Sequence, residues 1–465
     1  MEKKYFLAID IGASSGRHIL GSVEDGKLVL EEVHRFKNGA VDKNGTFVWD
    51  VDGLFSSIIE GLVKCKELNK IPYSLGIDTW GVDYALLDEN DKIIGDVISY
   101  RDSRTEKSIP EVHKIIPEED LYNRTGIQKQ VFNTVYQLFE DKMSGRINGA
   151  KSFLMMPDYL MYLLTGVKNN EYTNASTTGL LNAKTRDWDY ELLDTLGIDK
   201  SIFGSLTQPG TILGGFSKEI QEKVGFNALV CAPATHDTAS AVMSVPCLDM
   251  PLYISSGTWS LIGIETAEEN TSKEALKSGF SNEGGYNKSI RFLKNIMGLW
   301  MIQNIKKEYN DKYSFTDFVD EAKKAVGFES MVDVNDHSFY APKSMIQAVK
   351  DYCKNTNQQV PETVGEIVLC VYRSLAKSYR EAVINVENIT GKKFGQINIV
   401  GGGCQNVLLN ELTAEFTGKK VVTGPVEATA TGNILSQMLS AGDIKDLNEG
   451  KELLKVSFEI KEINA

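Results

Sequence analysis

No stretch of this 465-residue chain reaches the roughly 20 apolar residues that a membrane-spanning helix needs. The most apolar run, SFLMMPDYLMYLLTG (152–166), is interrupted by Pro157 and Asp158 and reads as a buried helix. A secretory leader is missing too, because MEKKYFLAIDIG brings Asp10 in where an apolar leader core would have to form; the expected compartment is the cytoplasm. Cysteine is sparse and unpatterned. The six residues, at 65, 231, 247, 353, 370 and 404, have no C-x-x-C spacing, which speaks against a zinc ribbon and a disulfide framework. A Cys353–Cys370 bridge stays open, disfavoured in a reducing compartment. None of the five histidines has the i, i+4 spacing of a helical metal site. Positive charge is in deficit, 50 basic against 63 acidic residues for a net −13, which argues against a sequence-independent nucleic-acid partner. No G-x-G-x-x-G stands between a strand and a helix, so a dinucleotide fold has no support. GSVEDGKL (21–28) ends in Leu28 where a P-loop needs Ser or Thr, and reads as a hairpin turn. No low-complexity linker is present.

What the chain does have is one device used twice. AIDIGASSGRHILG (8–21) and LYISSGTWSLIGIE (252–265) each read as an apolar strand, a turn of small residues and a second strand. A tip without bulky side chains lets backbone N–H groups approach an anion. Two such tips, about 240 residues apart, would hold one polyphosphate between two domains. The length supports two cores of about 200 residues or more, and the 42% hydrophobic and 24% charged fractions are those of an ordinary globular chain.

Strands alternate with helices as in layered α/β domains. Strand runs are expected over 5–11, 18–23 and 27–36, a helix over about 52–69 with Leu54, Ile58, Leu62 and Cys65 on one face, then the strand SLGIDTW. The second half repeats the order, with a long helix over about 361–386 that aligns Ile367, Val371, Leu375, Tyr379 and Val383, and then the strand QINIVGGG. The boundary is expected in SVPCLDMP (244–251), which gives domains 1–245 and 246–465.

The chemical candidates are few. In VCAPATHDTASAVMS, Asp237 stands at a strand-to-helix junction, where a carboxylate can take a proton from a substrate hydroxyl beside a helix N-terminus that favours a phosphoryl group. A helix cap is the alternative on this motif alone. His236 reads either as a structural residue or as a site residue. Asp10 is an acid in an apolar strand, a costly placement that a hydrated magnesium ion or a hydrogen bond to the GASSG backbone would offset. GIDTWGVDY (76–84) mixes acids, Trp80 and Gly81 as sugar sites do, although strand packing also accounts for Trp80. IVGGGCQN (399–406) offers a close backbone approach to a flat or anionic ligand.

Together these segments resemble the FGGY family of carbohydrate kinases over nearly the whole chain. DIGASSGR, DYLMYLLTG, YTNASTTGLLN, HDTASA, SSGTWS and GGGCQN carry the general likeness. GIDTWGVDY, SYRDSRT, GIQKQVFNTVYQL, MPDYLMYLLTG, NEGG, LKNIMGLW and GPVEATATGN look like the branch whose sugar is L-rhamnulose. The resemblance implies an α/β fold of two actin-like, ribonuclease H-like domains with a central ligand cleft, the first domain for sugar and base, the second for nucleotide. It implies ATP and magnesium as cofactors, a small ketose as the other partner, and phosphorylation at the C1 hydroxyl. Asp237 would be the general base. Trp80, Gly81, Asp83, His236, Asp237, Thr238 and Asn295 would face the ketose. Ala13, Ser14, Ser15, Gly16 and Arg17 would form the first phosphate loop, Thr258 would belong to the second, Gln303 and Gly402 would lie on the nucleotide side, and Asp10 would position magnesium through water. Another ketose such as L-fuculose or L-xylulose, a sugar-binding regulator and an actin-like ATP switch are the rivals, and monomer and homodimer both stay open.

Overall fold

The strand Phe6–Ile11 (β1) is buried along its whole length, as befits the centre of a sheet covered on both faces. Ser15–Glu24 (β2) and Lys27–Lys37 (β3) continue from it as an antiparallel meander. Their turn is Asp25-Gly26, with φ of 48° and 76°, the left-handed pair that tight hairpins prefer, so GSVEDGKL is a hairpin. Ser74–Thr79 (β4) pairs parallel to β1 on its other side. Thr211–Gly215 (β5) and Leu229–Ala232 (β6) complete the order β3-β2-β1-β4-β6-β5. Val51–Glu67 (α1), capped by Asp50 on the Gly53 N–H, buries Leu54, Ile58, Leu62 and Cys65, the face that the spacing predicts. Each such side chain contributes about 1.5–3 kcal/mol of apolar burial. Met156–Thr165 (α2) takes only the later part of the run expected to be one helix. Its first residues, Ser152–Met155, form a strand against Tyr84–Leu87 instead. Pro157 sits in the first turn of α2, where its missing N–H costs nothing. Asp237–Met243 (α3) follows β6.

The second sheet repeats this scheme. Leu252–Ser256 (β7) and Trp259–Thr266 (β8) are antiparallel, and Ile290–Met297 (β9) lies beyond β8. Gln396–Val400 (β10) runs parallel to β7, Lys420–Thr423 (β11) parallel to β10, and Lys461–Ile463 (β12) antiparallel to β11. The order β9-β8-β7-β10-β11-β12 mirrors that of the first sheet, and a seventh strand, Ser281–Gly284, adds to its edge beside β9. Its helices are Trp300–Glu308 (α4), Val364–Thr390 (α5) and Val407–Thr417 (α6). α5 begins at a Thr363/Glu366 capping box and ends at Gly391, and its five-residue stripe from Ile367 to Val383 is buried. Cys353 and Cys370 are free thiols whose sulfurs stand 4.0 Å apart.

This computed structural model describes residues 3–248, 251–340 and 342–465. Its two compact units are discontinuous: Met1–Leu248, Glu265–Phe292 and Ala428–Ser457 form one, and Asp249–Ile264, Leu293–Glu427 and Phe458–Ala465 the other. The expected halves 1–245 and 246–465 were contiguous. Part of the difference comes from Glu265–Phe292, which joins the first unit, and part from Ala428–Ala441 (α7), whose polar face belongs to the first sheet. There Asn433 Nδ2 donates to Gly76 O (3.1 Å) and Asp78 Oδ2 (2.6 Å), and Gln437 Nε2 donates to Leu7 O (3.0 Å). Within the boundary segment SVPCLDMP, α3 has already ended at Met243, and Asp249 and Met250 lie outside the described residues. No helix of the described residues is long and apolar enough to cross a membrane.

Candidate active site

The register of the first sheet sets two acids side by side. Asp10 on β1 is opposite Asp78 on β4 and Arg17 on β2, and Arg17 Nη2 donates to Asp10 Oδ2 at 2.8 Å. A side chain of the adjacent strand thus helps to offset the burial of Asp10. Asp78 is fully buried. Burial and the neighbouring Asp10 push its carboxyl well above the usual range. One oxygen takes the Asn433 amide, while Oδ1 makes no hydrogen bond. The tip between β1 and β2 is pinned: Gly12 N donates to Ser15 O, Asn38 N to Ser14 O, and Asn38 Nδ2 to Gly12 O. Ser14 is exposed there, Ala13, Ser15 and Arg17 are half-buried, and Gly16 makes room for the Phe36 ring.

Asp237 opens α3, with His236 as the cap residue and no side-chain cap bond from it. Its Oδ1 accepts from Thr238 N (2.6 Å) and Thr238 Oγ1 (3.2 Å) and lies 3.4 Å from His236 Nε2. Oδ2 has no hydrogen-bond partner among the described residues, and the side chain is 33% exposed. Desolvation, then the charge of Asp10, pushes the carboxyl up to about 7. One oxygen is therefore held and the other is presented, on a group whose proton affinity suits exchange near neutrality.

The strand end that carries these residues is braced by a buried acid. Glu171 Oε2 accepts from Thr235 N (3.0 Å), Thr235 Oγ1 (2.8 Å) and Thr173 Oγ1. Asn174 Nδ2 bridges Thr235 O (3.2 Å) and Trp80 O (3.3 Å), so GIDTWGVDY is tied to the His236–Asp237 turn. In that segment Val82 has φ +69°, an outlier for a β-branched residue. It is clamped by Thr177 Oγ1 on its N–H and by Thr134 Oγ1 on its carbonyl, the kind of stored strain found at working sites. Gly81 packs against Thr177, where a Cβ would come within 2.9 Å of Oγ1.

Trp80 and Asp83 are placed differently from the expectation that they face a sugar. Asp83 is 1% exposed. Its Oδ2 accepts from Trp49 Nε1 (2.6 Å), Trp80 Nε1 (2.9 Å) and Tyr100 N (3.1 Å), and its Oδ1 from Gln137 Nε2 (3.1 Å). Oδ2 is so occupied, and Trp80 packs on Trp49 at 4.1 Å between centroids with the rings tilted by 37°, so both side chains are buried against protein groups.

The second unit carries the other tip. Gly257 is exposed and Thr258 half-buried; the carbonyls of Gly257 and Thr258 accept from Leu299 N (3.0 Å) and Trp300 N (3.2 Å), which anchors the start of α4 on the tip. Gly298 fits there because a Cβ would meet the Thr258 and Trp259 backbone. Gly401 has φ +84°, accessible to glycine, and Gly403 lies flush on Ser256, whereas Gly402 faces open space. Gln303 on α4 and Asn295 on β9 are half-buried on this same unit.

Among the predicted positions, Asp10, Arg17, Gly81, His236, Asp237 and Thr238 come together on the first unit, and Thr258, Asn295, Gln303 and Gly402 belong to the second. Asp78, Glu171, Glu283, Arg291 and Asn433 were not singled out from sequence. A signal existed for two of them: GIDT repeats the buried-acid pattern of AIDI, and Arg291 is a base in an apolar strand.

The FGGY family of carbohydrate kinases, N-terminal domain, matches residues 5–244, and its C-terminal domain matches residues 252–441. Relatives named rhamnulokinase include that of Halalkalibacterium halodurans, 50% identical with 98% of each chain covered, and that of Bacillus subtilis, 44% identical with 98% of this chain and 94% of the other covered. Among solved structures, xylulose kinase from Lactobacillus acidophilus superposes with a TM-score of 0.81 at 18% identity, over 99% of this chain and 94% of the other. Plasmodium falciparum glycerol kinase with ADP gives 0.76 at 16%, over 98% and 94%. A doubled β-sheet scheme, a presented carboxylate at the head of a helix and near-full-length likeness lead to one statement: this chain belongs to the FGGY family of carbohydrate kinases.

Proposed function

We propose that this chain transfers the γ-phosphoryl group of ATP to the C1 hydroxyl of L-rhamnulose, giving L-rhamnulose 1-phosphate and ADP, as a step of L-rhamnose breakdown in the cytoplasm. The observation that carries the chemistry is Asp237, with Oδ1 pinned by Thr238 and Oδ2 presented. The identity of the sugar rests on the relatives named rhamnulokinase.

In this reading Asp237 Oδ2 takes the C1 hydroxyl proton as the oxygen attacks the γ-phosphorus and ADP departs from the opposite side. His236, Thr238, Gly81 and Asn295 hold the ketose, while Trp80 and Asp83 keep the Gly81 turn in place behind it. The tip from Ala13 to Arg17 and the tip at Thr258 receive the phosphates, and Gln303 and Gly402 flank the rest of the nucleotide. The donor set fits a magnesium ion. Asp10 and Asp78 are register partners, and the buried Oδ1 of Asp78 has an unused lone pair. No group of three His, Cys, Asp or Glu among the described residues forms a closed metal cage, and magnesium usually keeps several waters and phosphate oxygens. When bound, the ion would neutralise charge on the phosphates.

The test is ADP release with magnesium-ATP and L-rhamnulose, L-fuculose, L-xylulose, glycerol or no sugar, with Asp237→Ala in parallel. L-rhamnulose should give the fastest turnover, lost in the variant. A different best ketose removes the substrate assignment alone; no stimulation by any sugar, or an undiminished variant, removes the mechanism.

A further inference from the structure

Behind Asp237 lies a charged pair that the reaction above does not use. Arg291 on β9 is 0% exposed, and Glu283 on the strand Ser281–Gly284 is 5% exposed. Arg291 Nε donates to Gly284 O at 2.8 Å, and its Nη2 reaches both Glu283 Oε2 (3.2 Å) and His236 Nδ1 (2.9 Å). A guanidinium has five donors and no acceptor. The contact with Nδ1 therefore requires an unprotonated Nδ1, and the one ring proton must sit on Nε2. That nitrogen lies 3.4 Å from Asp237 Oδ1. Glu283 Oε2 lies 3.5 Å from Nδ1, but the closer Arg291 donor occupies the lone pair.

We propose that Arg291, oriented by Glu283 and Gly284, is a positioning residue of the phosphoryl-transfer site: it holds His236 as the neutral tautomer with the proton on Nε2, so that a protonated nitrogen and not a lone pair stands beside Asp237 Oδ1, 3.4 Å away. In the other tautomer an unprotonated Nε2 would stand 3.4 Å from the carboxylate and repel it, loosening the hold of Oδ1 on Thr238 and with it the aim of Oδ2. The direction of the His236 equilibrium agrees, since burial and the Arg291 charge push its protonation well below the ordinary range. Packing alone is a weak reason for the arrangement, because Arg291 Nη1 is buried without a hydrogen bond, a costly state. The inference rests on the kinase reading for its consequence, and on the hydrogen-bond geometry alone for the tautomer.

Two-bond proton–nitrogen correlation on the full chain labelled in its histidine rings separates the tautomers without sugar or nucleotide. Only five histidines contribute, and a His236→Gln spectrum assigns the signal. Wild type should show the Nε2–H pattern for His236. Arg291→Gln should move it to the Nδ1–H form or to a mixture, and lower kcat roughly 10- to 100-fold, by analogy with partners that orient metal-bound imidazoles, with KM for ATP little changed. An Nδ1–H or imidazolium pattern in wild type would overturn the proposal. So would an Arg291→Gln variant that loses kcat with the tautomer unchanged, or changes tautomer with kcat intact. If that variant does not fold, the wild-type spectrum still decides, joined by a second comparison: His236→Gln places an amide donor near the Nε2 position and should keep at least tenfold more kcat than His236→Asn, and equal losses would count against the idea. If no ketose stimulates ADP release, the kinase reading falls while the spectrum still tests the tautomer.

Discussion

Asp237 carries opposing demands. Its raised proton affinity, set by desolvation and by Asp10, suits a base but makes the ionised form costly to the fold. The sign follows from linkage. With the folded value at about 7, above the unfolded value of about 3.9, the folded state binds more protons in between. Stability should therefore fall as pH rises from about 4 to about 7 and level off above, and Asp237→Asn should lack that slope. Urea titrations of both proteins across this range check it; parallel curves would refute the assignment. The same substitution should lower kcat by about 10²- to 10⁴-fold, and wild-type kcat/KM should fall on the acid side with a midpoint near 7. Asp83 has the opposite character, an acid spent on structure. Asp83→Ala takes this acceptor from the indole N–H groups of Trp49 and Trp80 and from the Tyr100 N–H, whereas Gln137 Nε2 keeps Phe132 O and Val82 O. Each orphaned donor costs about 1–3 kcal/mol, so a loss above about 3 kcal/mol is expected in chemical unfolding. A smaller loss would show that water replaces the carboxylate.

Among the elements, the glycine turn after β10 separates packing from ligand contact within three residues. A Cβ at Gly402 meets open space, whereas one at Gly403 collides with Ser256 Oγ on β7. Gly402→Ala should change unfolding free energy by less than about 0.5 kcal/mol yet raise KM for ATP. Gly403→Ala should cost about 1–3 kcal/mol through overpacking. Unfolding curves and ATP titrations of both variants decide, and a Gly402→Ala enzyme with unchanged KM removes that residue from the nucleotide surface. At this scale much was legible beforehand. The buried face of α1, the stripe of α5 and both hairpins follow from period and turn chemistry, which are local. The strand Ser152–Met155 was not legible, because a short apolar run is compatible with either structure until a partner, here Tyr84–Leu87, claims its backbone.

For the whole molecule, the consequence lies in α7. It comes late in the chain yet supplies the amides that satisfy Gly76 O, Leu7 O and Asp78, and its Gly432 packs against Ser240 O on α3, the helix that Asp237 opens. A fragment ending at Leu248 should therefore fail to unfold cooperatively and should be digested rapidly by trypsin. A sharp urea transition for that fragment would show that the first unit closes without its returning segment.

The sequence by itself determined the doubled strand–tip–strand device, the two-domain α/β class and the Asp10 and Asp237 positions, because turn composition and an acid set in an apolar run are local and survive without coordinates. Tertiary structure alone decided which polar groups answer one another: Asn433 and Asp78 are 355 residues apart, and Arg291 and His236 are 55 apart. It also buried Trp80 and Asp83 against Trp49 and Gln137, where the expectation had them facing a sugar. No pattern along the chain records such pairings, since a buried polar atom is satisfied by whatever the folded backbone brings within 3 Å or so of it, and that neighbour is set by the register of distant strands.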